Sequence, residues 1–354
     1  MMMNFKFILK QMFVLFFIFY FLNSNKMFFL FILMFSTMIS ISSNSWFGAW
    51  IGLEINLMSF IPLISSSSNL LASEASLKYF LTQSIASINF LFCIIMKMIM
   101  FNNFEINNFI SIMINSSMLM KMGSAPFHFW FPNIVEGLSW FNNFILMTWQ
   151  KITPMILLSY YFNMNLMIFS IILNMMIGAV GGLNQTSLRK MMAFSSINNL
   201  GWMISSIMIS ENLWMFYIMM YSFLIFIMCF LFYLLNLFFL SQLFISNMKP
   251  IIKLNLLINF LSLGGLPPFI GFFPKWIVIN FMMMNKFFIL TFIFIMSSLI
   301  LLFFYIRILY SSFMLNYFKM KWFKIHLKNN FFMLMNFFSI ISITGIIFST
   351  MFFF

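Results

Sequence analysis

Four ionisable residues interrupt stretches that are otherwise apolar. Glu54 lies in Trp50-Ile-Gly-Leu-Glu-Ile-Asn-Leu-Met-Ser59, Lys121 in Lys121-Met-Gly-Ser-Ala-Pro-Phe-His-Phe-Trp-Phe-Pro132, Lys151 in Thr148-Trp-Gln-Lys-Ile-Thr-Pro154, and Lys275 in Gly264-Gly-Leu-Pro-Pro-Phe-Ile-Gly-Phe-Phe-Pro-Lys-Trp276. An ammonium at the centre of a bilayer costs roughly 2.5–3.5 kcal/mol on insertion scales, where a Leu or Phe gains about 0.5. Four such groups are not placed against lipid without a use. The chemistry that suits them is proton exchange. Burial disfavours the charged form of either residue type, and an opposite charge nearby restores it. A carboxylate and several lysines along a wetted track can therefore pass protons near neutral pH. Glu54 beside Lys121 favours the protonated lysine, and neutralising Glu54 favours release towards the next one. The bland reading is that a buried Lys–Glu pair only joins helices, or that a lysine near a span end reaches the interface on its long stem. Two of the four coincide with helix breakers, which favours an ion path.

The elements holding these charges are membrane helices. The 354 residues are 64% hydrophobic and 6% charged, against about 25% charged in soluble domains. This is an all-α integral membrane protein. Sixteen lysines and two arginines against five glutamates give a formal charge of +13. The cations sit mostly at the ends of apolar runs, where they orient helices, and nucleic acid is not implied. Cys93 and Cys229 lie far apart inside apolar runs, with no CxxC, which argues against a structural zinc or a thiolate-held cluster. His128 and His326 do not supply paired haem ligands, and no Gly-rich phosphate cradle occurs. The wealth of Phe (57) and Met (39) reflects A/T-rich codons and points to an organelle genome, especially an animal mitochondrial one.

With about 20 apolar residues per crossing, core spans fall near 27–43, 47–66, 76–98, 108–122, 140–161, 164–182, 187–209, 211–240, 255–282, 287–312 and 330–353. Eleven alternating spans put ten cations, including Lys26, Arg189, Lys190 and Arg307, on the side where the first span starts. Lys97 and Lys286 fall on the other. That asymmetry assigns the first side to the matrix or cytoplasm. Residues 1–25 read as an apolar extension, peripheral or a misassigned start, and 26–354 as a single transmembrane domain.

The helix breaks carry most of the local information. Pro126 removes a backbone donor and Gly123 weakens the helix, and a broken helix survives in hydrocarbon only where protein or water satisfies the freed groups. Lys121 therefore faces an internal, partly hydrated space. His128, two residues past Pro126, either passes protons or bonds a freed carbonyl, and the second role is favoured. Lys78 and Glu74 stand one turn apart and read as a surface pair rather than a relay site. Glu105, Glu136 and Glu211 read as loop or helix-end charges, and Asn198 and Asn199 as bonds to another helix.

Six motifs in fixed order carry a resemblance. They are Trp50-Ile-Gly-Leu-Glu-Ile-Asn-Leu57, Glu74-Ala-Ser-Leu-Lys-Tyr-Phe-Leu-Thr-Gln83, Lys121-Met-Gly-Ser-Ala-Pro-Phe-His-Phe-Trp130, Thr148-Trp-Gln-Lys151, Gly181-Gly-Leu-Asn-Gln-Thr-Ser-Leu-Arg-Lys190, and Leu263-Gly-Gly-Leu-Pro-Pro268 with Pro274-Lys-Trp276. Over about residues 27–280 the chain resembles the chain 2 family of mitochondrial NADH:ubiquinone oxidoreductase (respiratory complex I), in its shortened animal form. The resemblance implies an antiporter-like, proton-translocating subunit of the membrane arm in the mitochondrial inner membrane. It implies two inverted repeats of five helices, incomplete at the front because the animal form lacks the first helices, with two discontinuous helices and a relay of Glu54, Lys121, Lys151 and Lys275. NADH, flavin, iron–sulfur clusters and ubiquinone are then handled by other subunits, and the partners are other antiporter-like membrane-arm subunits and the lipid bilayer. Where many relatives carry a histidine after Ser195-Ser-Ile197, this chain has Asn198, so no protonatable role is expected there. The competing functional reading is a freestanding cation/proton antiporter of similar fold, and a third treats the charges as inert helix glue.

Overall fold

In hydrocarbon each backbone group must be satisfied within its own segment, so long apolar runs fold as helices. The computed structural model describes residues 24–66, 69–99, 104–245, 250–314 and 329–344. The extension expected over 1–25 falls almost wholly outside the described residues, as do Lys249, His326, the lysines between 319 and 328, and the side chain of Glu105. The described residues form fifteen helices, with one isolated antiparallel bridge between Ser187 and Phe239. In chain order they are α1 (Ser24–Ser42), α2 (Trp46–Ile64), α3 (Leu70–Ile99), α4 (Phe104–Met122), α5 (Trp130–Gly137), α6 (Trp140–Met147), α7 (Trp149–Tyr160), α8 (Met164–Gly182), α9 (Leu188–Ile209), α10 (Glu211–Leu235), α11 (Leu240–Ile245), α12 (Pro250–Gly264), α13 (Phe272–Met284), α14 (Phe288–Met314) and α15 (Asn329–Ile343).

Side-chain caps fix several starts. Ser45 accepts from Gly48 N, Asn163 from Leu166 N and Ser210 from Leu213 N, each supplying an acceptor for an orphan amide of the first turn. Asn236, with φ 50°, ends α10 in the left-handed conformation.

Among the described residues six helices (α1, α2, α3, α8, α10 and α14) are long and apolar enough to cross a membrane by length and composition. Of the other five spans expected from hydropathy, 140–161 is divided at Thr148 and 255–282 is split into α12 and α13, so neither is one long helix. The helices α4 and α9 are long enough but carry Asn, Ser and charged residues that lower their hydropathy, and 330–353 is described only as far as residue 344. After the break that ends α4 the path resumes as α5. The short helix α5 was not anticipated, because its eight residues are too few to register as a span.

The chain repeats itself. One interval separates Trp46 from Leu188, Met122 from Gly264, Trp130 from Phe272 and Pro132 from Pro274, so α2 begins where α9 does and α5 where α13 does. The first unit is α1, α2, α3, the broken pair α4–α5, and α6–α7, so the repeat expected to be incomplete at its front has all five parts, with α1 standing opposite α8. The second is α8, α9, α10, the broken pair α12–α13, and α14. Five crossings is an odd number, so the second unit starts on the opposite side of the membrane and is inverted. The tightest pair in each unit is its first two helices. They approach over small residues at matching positions, Ser36, Thr37 and Ser40 on α1, and Gly178, Ala179 and Gly182 on α8. A Cβ on Gly178 would stand 2.6 Å from the backbone nitrogen of Asn198. The units join where α9 packs on α5 and α10 packs on α6.

The two ends of the bundle differ in charge. At one end Lys190 pairs with Glu136 at 2.7 Å, Arg189 donates to Leu138 O at 3.0 Å, and Arg307 bonds to Leu183 O. At the other, the Lys97 ammonium lies 4.2 Å from the Tyr161 ring centroid and 5.1 Å from that of Trp46.

Candidate functional site

The two breaks are built alike. At the first, Gly123 has φ +70° and the Ala125–Pro126 peptide is cis; at the second, Gly265 has φ +81° and Pro267–Pro268 is cis. The same interval that relates the helices relates these residues. At each, the glycine amide bonds three residues back (Gly123 to Met120 O, Gly265 to Ser262 O) and the next amide bonds five back (Ser124 to Leu119 O, Leu266 to Leu261 O). This is the Schellman ending, which needs the glycine because only it takes the left-handed conformation without a Cβ penalty.

Several of the freed backbone groups of the first break find partners. Lys121 O accepts from Gln83 Nε2 at 3.1 Å, Met120 O also accepts from Trp130 Nε1 at 3.2 Å, and Leu119 O also accepts from Ser124 Oγ at 2.9 Å. Ala125 N donates to Asn174 Oδ1 at 2.6 Å. Asn174 lies on α8, so a residue of the second unit holds the break of the first. His128 sets its Nδ1 3.3 Å from Pro126 O, within the same turn.

Lys121, buried at 7% exposure, stands in the last turn of α4, where the negative end of the helix dipole favours a cation. A cavity opens beside it, lined by Leu53, Asn56, Leu57, Tyr79, Gln83, Gln150, Thr153 and Pro154 as well as Lys121. Its volume of about 10 Å³ is at the lower edge of the roughly 10–15 Å³ that one water molecule needs. Gln150 Nε2 donates to Asn56 Oδ1 at 2.8 Å across this space. Glu54, half-buried on α2 within the turn before Asn56, is within electrostatic reach of the Lys121 ammonium, but the two approach no closer than 4.0 Å, since the ion pairs among the described residues are Lys78–Glu74 and Lys190–Glu136.

Lys151 is 1% exposed. Its helix α7 starts at Thr148, whose Oγ1 bonds Phe144 O at 2.7 Å, and contains Pro154, which leaves the Gln150 carbonyl without its helical donor. The Lys151 Nζ donates to Ser196 O on α9 at 3.2 Å and lies 5.4 Å from the ring centroids of Phe131 and Tyr221. The ammonium thus sits where both units meet.

Lys275, buried at 7% exposure, donates to Leu263 O at 3.2 Å and Gly264 O at 3.0 Å. The sequence dictates this contact. The helical donors for those carbonyls would come four residues on, at Pro267 and Pro268, and proline has no N–H. Leu263 is also the repeat equivalent of Lys121. In both units an ammonium belongs to the last turn before the break, supplied by α4 itself in the first and reached from α13 in the second.

The structure therefore gathers Glu54, Lys121 and the polar residues near Lys151 on one side, and puts Lys275 in the second unit. Lys78 is kept apart, in an exposed pair with Glu74 at 3.4 Å. Asn198 donates to Met175 O at 3.2 Å on the neighbouring α8. Sequence reasoning passed over Gln83, Gln150 and Asn56, and also Tyr217, Tyr221 and Tyr305, all three buried. The interval itself was the missing signal, since it pairs Tyr79 with Tyr221.

Residues 43–301 match the family model described as NADH:quinone oxidoreductase/Mrp antiporter, TM. The chain is 58% identical over 313 residues to NADH-ubiquinone oxidoreductase chain 2 of Anopheles gambiae, covering 87% of this chain and 90% of that one. Among solved structures it is similar to a chain of respiratory complex I from Thermus thermophilus, with TM-score 0.79 at 16% identity, over 92% of this chain and 78% of that chain. It is also similar to a chain of the Mrp complex from Dietzia sp. DQ12-45-1b, with TM-score 0.71 at 14% identity, over 79% of this chain and 59% of that one.

Proposed function

The chain belongs to the NADH:quinone oxidoreductase/Mrp antiporter transmembrane family, and from that premise we propose how its buried charges work. It is a membrane-arm subunit of a respiratory NADH:ubiquinone oxidoreductase and takes part in proton translocation driven by electron transfer in that complex. Glu54, Lys121, Lys151 and Lys275 form the relay. Protonation of Lys121 follows the charge on Glu54. When that charge is withdrawn or neutralised, the proton leaves through the cavity towards Gln150 and Lys151, and from there to Lys275 in the second unit. Lys78 and His128 stand beside this line rather than on it: one is an exposed pair, the other bonds within its own turn.

The observation that carries the reading is the Lys121 break, where a buried ammonium, a water-sized cavity and a carboxylate within electrostatic reach coincide. On this reading the chain itself carries no redox group. NADH, flavin, iron–sulfur clusters and ubiquinone belong to other subunits, and the direct partners are other antiporter-like subunits of the membrane arm. Residues 26–354 act as one transmembrane domain of the mitochondrial inner membrane, with the start of α1 on the matrix side. The support is that Arg189, Lys190 and Arg307 gather at that end, as the positive-inside rule requires.

The test is Glu54→Gln and Lys121→Met in the assembled complex, with proton release per NADH oxidised measured in sealed vesicles. A lower ratio is expected in both. An unchanged ratio in both variants would leave the charges as helix glue. The likeness to an Mrp chain keeps an independent antiporter in view, and purification from native membrane separates the two: a free monomer, away from any flavin-containing complex, excludes the subunit role.

A further inference from the structure

Lys151 and Lys275 sit in different units, and the hydrogen bonds of both ammonium groups go to backbone carbonyls. A buried phenol stands near each of them. Tyr221 on α10 is 3% exposed, its ring centroid is 5.4 Å from Lys151 Nζ, and its Oη is sealed from solvent, near Ser196 but without a hydrogen bond of normal geometry. The side chains of Tyr305, Cys229 and Ser196 are its electrostatic neighbours. Ser196 Oγ donates to Ala193 O at 2.7 Å, which leaves its lone pairs free to accept. Tyr305 on α14 is 1% exposed and has the Ser195 side chain alongside. Its ring lies against the last turn of α12: a Cβ on Gly264 would stand 3.6 Å from Tyr305 Cδ2, and the Gly264 carbonyl holds Lys275.

We propose that Tyr221 and Tyr305 form a hydroxyl bridge that carries protons between Lys151 and Lys275. The bridge rests on the relay reading above and supplies the step it lacks. A phenol suits the task because its oxygen accepts one proton while releasing another. Lys151 loses an N–H, each Oη–H breaks as a new one forms, and Lys275 gains an N–H, directly or through an intervening water. The hydroxyls return to their starting composition and no electron moves. No hydrogen bond of normal geometry fixes the Tyr221 Oη in one orientation. The repeat adds independent support. Tyr79, the equivalent of Tyr221, is buried and lines the cavity beside Lys121, so each unit sets a buried phenol next to a lysine. The two asparagines of the facing α9, Asn198 and Asn199, are amides and hold no transferable proton at neutral pH.

The experiment uses Tyr221→Phe and Tyr305→Phe, alone and combined, in the assembled complex. Each removes one oxygen and keeps the ring. Proton release per NADH oxidised is measured in sealed vesicles, beside NADH oxidation by a water-soluble acceptor as a check on assembly. Tyr217→Phe serves as control, because that hydroxyl already donates to Asn199 Oδ1 at 2.9 Å. The expected result is a loss in the ratio for Tyr221→Phe and for the double variant, with the ratio kept in Tyr217→Phe and the soluble-acceptor rate kept in all. A double variant with the parental ratio overturns the bridge, as does an equal loss in Tyr217→Phe. Lys151→Met is run in parallel. If it loses the ratio while the double variant keeps it, the bridge alone falls; if neither changes, the relay reading falls too.

Discussion

Replacing Gly265 with alanine tests the second break more sharply than deleting its lysine. Gly265 has φ +81°, and a Cβ there would stand 3.0 Å from both Cδ and Nζ of Lys275. An L-residue in the left-handed conformation costs roughly 1–2 kcal/mol. The methyl group also meets the free end of a flexible side chain, so the backbone stays and the ammonium withdraws from one of its two carbonyls. A hydrogen bond to a charged group contributes about 1.5–3 kcal/mol, which brings the expected loss to roughly 2.5–5 kcal/mol. The neighbouring Gly264→Ala is the internal control. Its Cβ would meet nothing nearer than 3.6 Å, and a helical Gly→Ala change is stabilising by up to about 1 kcal/mol. Both variants are assayed by heating membranes in steps and measuring the fraction of intact complex on native gels. Gly265→Ala should fall apart at clearly lower temperature than Gly264→Ala. Equal midpoints would refute the claim that this ending requires a glycine and that Lys275 is tied to the α12 carbonyls.

Two further outcomes follow from the same geometry. Asn174→Ala leaves the Ala125 N–H without its acceptor, a loss of about 1–3 kcal/mol, visible as a lowered midpoint in the same heating assay. Lys78→Ala breaks an ion pair whose side chains are 54% and 62% exposed, so the midpoint should move by less than about 1 kcal/mol with the proton ratio unchanged; a lost ratio would put that lysine on the relay.

Much of the fold was legible because hydrophobicity and helix breakers act locally. Gly123 with Pro126, and Gly265 with Pro267 and Pro268, mark both breaks without reference to any other part of the chain. The positions of Lys121, Lys151 and Lys275 in apolar sequence marked them as costly, and all three are buried. What escaped depends on long-range partners. Nothing near Lys275 in sequence says that it doubles back to Leu263 and Gly264 unless Pro267 and Pro268 are read as missing donors. Gln83, Gln150 and Asn56 look like ordinary helix polar residues until three helices bring them around one cavity. Tyr221 and Tyr305 pass as packing because a buried phenol and a buried Phe differ by one oxygen. Glu54 is only half-buried, which apolar neighbours in the chain do not reveal, since an apolar helix face can turn outward in a membrane.

The bond from Asn174 to Ala125 has a mechanical consequence. An amide leash of 2.6 Å runs from one inverted half to the broken turn of the other, and sliding the halves by even an ångström or two would strip that turn of its acceptor. The seam therefore behaves as a strut. On the proposed relay, charge would cross it by rotating hydroxyls, swinging lysine tips and shifting single waters while the helices on either side hold station.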